Sequence, residues 1–457
     1  IVTMNSVKLK APLETCKTLL CRSYYINRRK KPTLYTILSP LGAPTISLTQ
    51  ELNRWVASGN KIRIAELQRI IRDFRKHRRF SQALEVSEWM KETEMCIFSS
   101  VEHAIYLDLI GRVRGYQFAE NYFDNLRDKD KNNKTYGALL NCYVRQRHAD
   151  KSCSLFTKMK KLGFVNSALP YNNLMCLYTN LGEYEKVPFF LAEMKSDSIT
   201  PDNYTYRLCI NSYGCRSEMK NMESTIEEME NCAGLNPDCI TYSAVASIYI
   251  KARQLGKALN FLRLAEERLS PRETLGYNHL ITHYSAIGDK EEVMRIWELQ
   301  KEECGRHNNT DYRTMLESLL KLGEVEEAEK IVREWEVNGK LYDERVANVM
   351  VVGYCKLGLC DRGEEYLTRL MRLSRATTPN SWATVGRCWA DKGDMERAFF
   401  CINMAFSVYK EGKGWKPNPR VVLFLVKWLQ DQGRVQDGQN LLSFMRKVGV
   451  VTNSFSE

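Results

Sequence analysis

Four glycines, Gly288, Gly323, Gly358 and Gly393, follow one another at intervals of 35 residues, and Tyr171, Tyr206, Tyr242, Tyr277 and Tyr312 step at 35, 36, 35 and 35. A fixed period of this length belongs to stacked copies of one supersecondary unit, each too small to bury its apolar face alone. The period predicts an α-solenoid and overrides the roughly three domains that length alone would suggest. It also bears on function. Stacked arrays offer a long concave surface and seldom a closed pocket, which favours binding of an extended partner over catalysis.

One period shows what is repeated. Tyr277, Leu280, Ile281 and Tyr284 fall at i, i+3, i+4 and i+7, the apolar stripe of a helix. Gly288 breaks the stripe, Asp289 is placed to cap a second helix, and Val293, Ile296 and Trp297 give that helix its own apolar side. The unit is a helical hairpin. Laid along the chain, the frame puts a small or medium residue early in each second helix: Ala83, Ala119, Ser152, Val187, Met222, Ala258, Val293, Ala328, Gly363, Ala398 and Gly438. An aromatic recurs near the end of the first helix at Phe74, Tyr143, Tyr178, Tyr213, Tyr249, Tyr284, Tyr354 and Trp389. On the apolar stripe these rings are expected in the core rather than as a platform for stacked bases.

About eleven units fit between Ala65 and Lys447; the last step, Ala398 to Gly438, is 40, with the surplus in the segment from Ser407 to Pro417. The expected organisation is a basic leader or extension over residues 1–60, the repeat array over 61–447 and a short tail over 448–457. Twelve prolines and 25 glycines in 457 residues cannot supply the turns of an all-β chain, and 27% charged residues suit exposed helix faces. No run of 18 apolar residues occurs, so no membrane span is expected. Fifteen cysteines include no C-x2-C pair, which argues against a zinc ribbon or a disulfide framework and for thiols that act as small buried apolar residues in a reducing compartment.

Charge is concentrated at one end. Residues 1–97 hold 18 Lys/Arg and 8 Asp/Glu, leaving 49 and 47 for the rest. The first stretch is Arg28, Arg29, Lys30 and Lys31, in a segment whose first fifty residues hold one acid, Glu14. It reads either as an organellar transit peptide or as a basic extension that lies on RNA phosphates. The second is Arg69, Arg72, Arg75, Lys76, Arg78 and Arg79, six cations against Asp73 alone, which is more than solubility needs and points to phosphate contact.

The repeat resembles the pentatricopeptide repeat family, whose hairpin opens near T-Y-N-x-L-I, turns at a glycine and continues through E-x-A to a Met and a Pro-Asp end. Pro170-Tyr171-Asn172-Asn173-Leu174-Met175, Gly182 and Glu193-Met194-Lys195 follow that pattern, as do Thr241-Tyr242-Ser243, Gly276-Tyr277-Asn278-His279-Leu280-Ile281 and Lys321-Leu322-Gly323-Glu324-Val325-Glu326-Glu327-Ala328. The resemblance spans residues 65–447 and implies a right-handed, all-α solenoid of the P class. The tetratricopeptide alternative wants a W-x2-L-G opening, which the chain lacks.

The resemblance also implies organellar RNA binding, in a mitochondrion or alternatively a plastid. Two side chains per unit read one base: the residue after the motif tyrosine and the last residue of the unit. Asn172 with Asp202 matches a uracil-type pair, and Asn278 with Asn308 a pyrimidine-type pair. Elsewhere the helix position holds Gln68, Ala104, Gly137, Arg207, Arg313, Ala383 and Leu423, while Ser243 falls with Glu273 and Asn348 with Thr378. Ala, Gly and Leu cannot bond a base edge, and Arg207 and Arg313 suit phosphate better than one base.

An eroded code with charge at one end points to a structural component of the plant mitochondrial ribosome, holding rRNA by shape and charge and touching ribosomal proteins, as short members of the family do. The alternative is a sequence-specific binder of single-stranded RNA that stabilises or processes one organellar transcript. A purely protein-binding adaptor is a third reading. Catalysis is not expected: there is no deaminase H-x-E with C-x2-C, no G-x4-G-K-[ST] loop, and no room after the last unit for a nuclease domain. His279 and His283 share a helical face without the glutamate of hydrolytic zinc helices, so no metal, cofactor or small-molecule substrate is expected.

Overall fold

The computed structural model describes residues 33–41, 47–94, 97–232, 234–338, 342–410 and 415–450. Among them it forms 24 α-helices, two short 3-10 turns and no strand. The chain divides into two compact units, residues 1–182 and 183–457. Unit one holds three hairpins, Ile64–Lys76 with Phe80–Glu92, Ser100–Val113 with Tyr116–Asp124, and Asn133–Arg145 with Ala149–Lys161, and ends with the helix Ala168–Leu181. Unit two opens with Val187–Ser196 and continues through seven more hairpins, from Asn203–Cys215 with Met219–Asn231 to Pro419–Asp431 with Val435–Lys447. The sequence frame of eleven units thus falls on helix pairs, with its fourth shared between the two units.

The turn explains the glycines. The residue after the first helix must take a left-handed backbone: Gly288 has φ +94°, Gly323 +82°, Gly358 +73° and Gly393 +85°. Glycine adopts that region without a Cβ penalty. Four hairpins fill the position with a side chain instead, Arg78 at +59°, Arg147 at +60°, Ser217 at +59° and Arg253 at +58°, and accept the strain. Above the turn, the small-residue row is sealed: Ala83, Ala119, Ser152, Val187, Met222, Ala258, Val293, Ala328 and Ala398 are all fully buried.

The recurring aromatics are core residues, with Tyr213 only half-buried, yet their polar ends are tied. The Tyr143 hydroxyl donates to Glu120 at 2.5 Å, Tyr354 to Glu329 at 2.9 Å, Tyr249 to Glu223, and the Trp389 indole to Glu364 at 2.8 Å. Each glutamate directly follows the buried small residue of its second helix. A cation from the following hairpin completes the set: Lys151 on Glu120 and Lys257 on Glu223 at 2.5 Å, Arg362 on Glu329 at 3.2 Å. These repeated Tyr–Glu–cation links join neighbouring hairpins and were not anticipated from the sequence.

One finding departs from the sequence reading. Cys360 and Cys388 are joined in a disulfide with Cα atoms 5.8 Å apart, although a separation of 28 residues resembles no spacing rule. Helix packing, not sequence proximity, brings them together. Part of the 1–60 segment, read from the sequence as a leader or an extension, is built into the fold. Helices Leu34–Leu38 and Leu48–Ala57 bury Leu34, Leu38, Leu48 and Leu52. They are fixed to the first hairpin by Tyr35 on Asp73 at 2.8 Å, Ser47 on Glu85 at 2.7 Å and the Trp89 indole on Asn53 at 2.8 Å. No described helix is long and apolar enough to cross a membrane.

Candidate nucleic-acid interface

The last residue of a unit is the N-cap of the next first helix. Asp202 accepts from the Thr205 amide at 2.7 Å, Asp238 from Thr241 at 2.8 Å, Asn308 from Thr310 at 2.7 Å, and Thr378 from Ser381 at 3.0 Å. Short acceptor side chains serve this place because the first helical amides have no partner inside the helix. The residue type that would read a base is therefore also the type that starts the helix.

The helix position is drawn into the same turn. Arg207 Nη1 lies 3.0 and 2.9 Å from the two Asp238 carboxylate oxygens and 3.3 Å from the Thr241 hydroxyl. Asn278 donates to Asp311 at 2.8 Å, Asn348 accepts from Ser381 at 2.8 Å, and Gln68 donates to Glu102 at 2.6 Å. Each bond crosses to the capping turn of the following unit. Burial disfavours the charge on Asp238, but bonds from Thr241 and Arg207 outweigh it and hold its pKa below the usual 3.8. Asn172 and Asn278 are buried, whereas Asn308 is exposed. The two members of the Asn278 and Asn308 pair are engaged separately, Asn308 as a cap and Asn278 on Asp311.

The basic run of the first hairpin divides by role. Arg69, Arg72, Lys76 and Arg78 face solvent. Arg69 lies over the Tyr35 ring at 5.8 Å, and Arg78 occupies the strained turn. Arg79 donates to the carbonyls of Ser39 and Leu41 at 2.6 and 2.7 Å and covers the Phe74 ring at 4.3 Å. Arg75 reaches Asp108 at 3.3 Å, where Arg112 at 3.0 Å and Arg145 at 2.7 Å converge. Three guanidinium groups on one nearly buried carboxylate leave a local surplus of positive charge. Arg28, Arg29, Lys30 and Lys31 lie outside the described residues.

In unit two the first helices line a groove of about 850 Å³, with Arg313, Asn348 and Thr378 beside Lys321 and Lys356. Arg313 touches Glu317 at 3.5 Å. Lys321 and Lys356 each stand eight residues after the helix position and are exposed; neither meets a carboxylate within ion-pair distance among the described residues. Lys251 holds the same register in unit two, and Lys76, Arg112 and Arg145 hold it in unit one. This cationic row was missed in the sequence, where lysines at helix ends read as ordinary solvated charge. His279 and His283 stack at 6.2 Å between centroids. Burial, then His279, Lys251 and Lys321, lower the His283 pKa to about 4. Among the described residues no group of three or more His, Cys, Asp or Glu could hold a metal ion.

Stacked two-helix units with a cationic first-helix face define a helical-repeat binding protein. Profiles of the PPR repeat family match residues 166–215, and of the PPR repeat residues 134–164, 311–339 and 346–374. The chain is 46% identical over 430 residues to the mitochondrial pentatricopeptide repeat-containing protein At4g21705 of Arabidopsis thaliana, covering 94% of this chain and 87% of that protein. It is 35% identical over 421 residues to the mitochondrial protein At2g20710 of the same organism, covering 92% and 85%. The chain belongs to the pentatricopeptide repeat family. Both relatives are mitochondrial, in agreement with the location expected from the sequence. Among solved structures it is similar to the pentatricopeptide repeat protein PPR10 in complex with an 18-nt psaJ RNA element, at 13% identity and a TM-score of 0.49 over 95% of this chain and 71% of that one.

Proposed function

We propose that this chain is a non-catalytic mitochondrial protein that binds single-stranded RNA of an organellar transcript along its first-helix face, by charge and shape more than by base reading. The observation that carries this is the groove in which Lys321 and Lys356 stand one repeat apart without carboxylate partners, beside Arg313, Asn348 and Thr378. Unpaired cations at the repeat spacing suit successive phosphates. In unit one, Arg69, Arg72, Lys76 and Arg78 serve the same end, with the Arg75–Arg112–Arg145 cluster behind them. Family membership supports the transcript reading over that of a ribosomal component, because it requires no partner beyond RNA.

The ribosomal reading keeps one observation in its favour. Gln68, Arg207, Asn278 and Asn348 bond the next capping turn, so a folded RNA held by shape would lose little. Binding of the purified chain to mitochondrial RNA, measured against salt, tests the proposal. Lys321→Ala with Lys356→Ala should flatten the log–log salt slope by about 1.4, at roughly 0.7 per phosphate on a single strand. An unchanged slope refutes the groove. Co-sedimentation with a ribosomal subunit and crosslinks confined to rRNA would favour the second reading.

A further inference from the structure

The Cys360–Cys388 bridge joins the second helix of one hairpin, Cys360–Arg372, to the first helix of the next, Pro379–Asp391. The helix Pro379–Asp391 also carries Ser381, which bonds Asn348 across the same seam, and starts at the Thr378 cap. Thr378, Asn380 and Asn348 all line the groove. The bridge therefore pins one wall of the groove to the unit that faces it. Its sulfur-bearing residues are both buried, Cys360 fully and Cys388 at 7% exposure. We propose that Cys360 and Cys388 form a reversible redox clamp on this seam, closed as the disulfide and loosened as two thiols.

The chemistry needs a thiol donor of the glutathione class. Two such thiols give up two electrons and two protons, the Cys360–Cys388 bond is cleaved to two protein thiols, and one low-molecular-weight disulfide forms. Three other cysteines are poorly suited to join in. Burial pushes the thiols of Cys142, Cys239 and Cys355 up to about 11, so little thiolate is present near neutrality. The pair is also the only bridge among the described residues. With both partners buried, exchange requires the seam to open first, which makes the clamp slow to change and sensitive to anything that holds the groove shut.

The effect on stability stands alone, while the effect on RNA rests on the proposed function. The full chain is equilibrated in glutathione buffers from reducing to oxidising, and the Cys360–Cys388 crosslink is scored by peptide mapping. The oxidised form should melt roughly 5 °C or more above the reduced form and protect the amides of residues 379–391 more strongly. Cys360→Ser and Cys388→Ser, singly and together, should melt with the reduced protein and lose redox sensitivity. Equal melting and equal protection in both forms, or thiols that stay free throughout, overturn the clamp. With an RNA pool, the oxidised form should bind about fivefold tighter. Equal affinity in both forms overturns control of binding, whereas no RNA binding by either form refutes the function and leaves the clamp standing.

Discussion

Arg207 and Asp238, the helix position and the last residue of a single repeat, are bonded to each other at 2.9 and 3.0 Å. The side chains at the two base-reading positions grip one another. Asp238→Asn keeps an N-cap acceptor but removes the charge that neutralises Arg207. RNA affinity should rise, and the salt slope should steepen by about 0.7, one phosphate contact. A slope equal to wild type in a filter-binding titration counts against an RNA-facing Arg207.

Arg253 pays for a left-handed turn that glycine fills elsewhere, at φ +58°. Arg253→Gly should stabilise unit two by about 1 kcal/mol. Gly323→Ala, at +82°, should destabilise by a similar amount. Urea midpoints of the two variants should move in opposite directions.

The Tyr–Glu–cation links predict an acid limb. Bonds from Lys257 and then Tyr249 hold Glu223 below its ordinary 4.5. For Glu120 burial acts the other way, but bonds from Lys151 and Tyr143 outweigh it. Carboxylates lowered in the folded state contribute stability above their ordinary value and lose it as pH falls through the folded one. Melting temperature should drop steeply below pH 4.5, and Glu223→Gln should shallow that drop. Tyr249→Phe should cost about 1 kcal/mol at neutral pH.

His283 works over a higher range. Its folded value near 4 lies below the ordinary 6.5, so the unfolded chain takes up a proton first as pH falls. Stability should decline from pH 6.5 towards 4. The gap between urea midpoints at neutral and mildly acid pH should narrow in His283→Gln; an unchanged gap would show that another group governs this range.

Within the basic run, solvent-facing and structural cations should separate. Neutralising Arg72, Lys76 and Arg78 together should weaken RNA binding without loosening the docked amino-terminal helices. Arg79→Ala should do the reverse, costing about 2 kcal/mol of that docking through its two carbonyl bonds. Hydrogen exchange of residues 34–41 reads the difference.

The hairpin was legible because its determinants are local. A left-handed turn needs Gly288 or its equivalents, and close helix packing needs Ala258 or Ala328, so both recur at the period. The interface was legible only as a set of positions. That Asn278 is spent on Asp311, or that Arg75, Arg112 and Arg145 meet at Asp108, depends on how successive first helices face each other, which no single repeat encodes. The Glu120, Glu223, Glu329 and Glu364 row lay in the sequence beside the small-residue row. It went unseen because a glutamate early in a helix already has a reason to be there. Cys360 and Cys388 escaped notice because spacing rules describe loops and metal knuckles, not neighbouring helices.

Leu34 and Leu38 are almost completely shielded from water, and that shielding makes their helix a working part of the array. A chain without residues 34–41 would uncover the flank of the first hairpin and leave the Asp73 carboxylate and the Arg79 guanidinium without Tyr35 and the Ser39 and Leu41 carbonyls. The stack would then begin with a raw edge, open to adhesion.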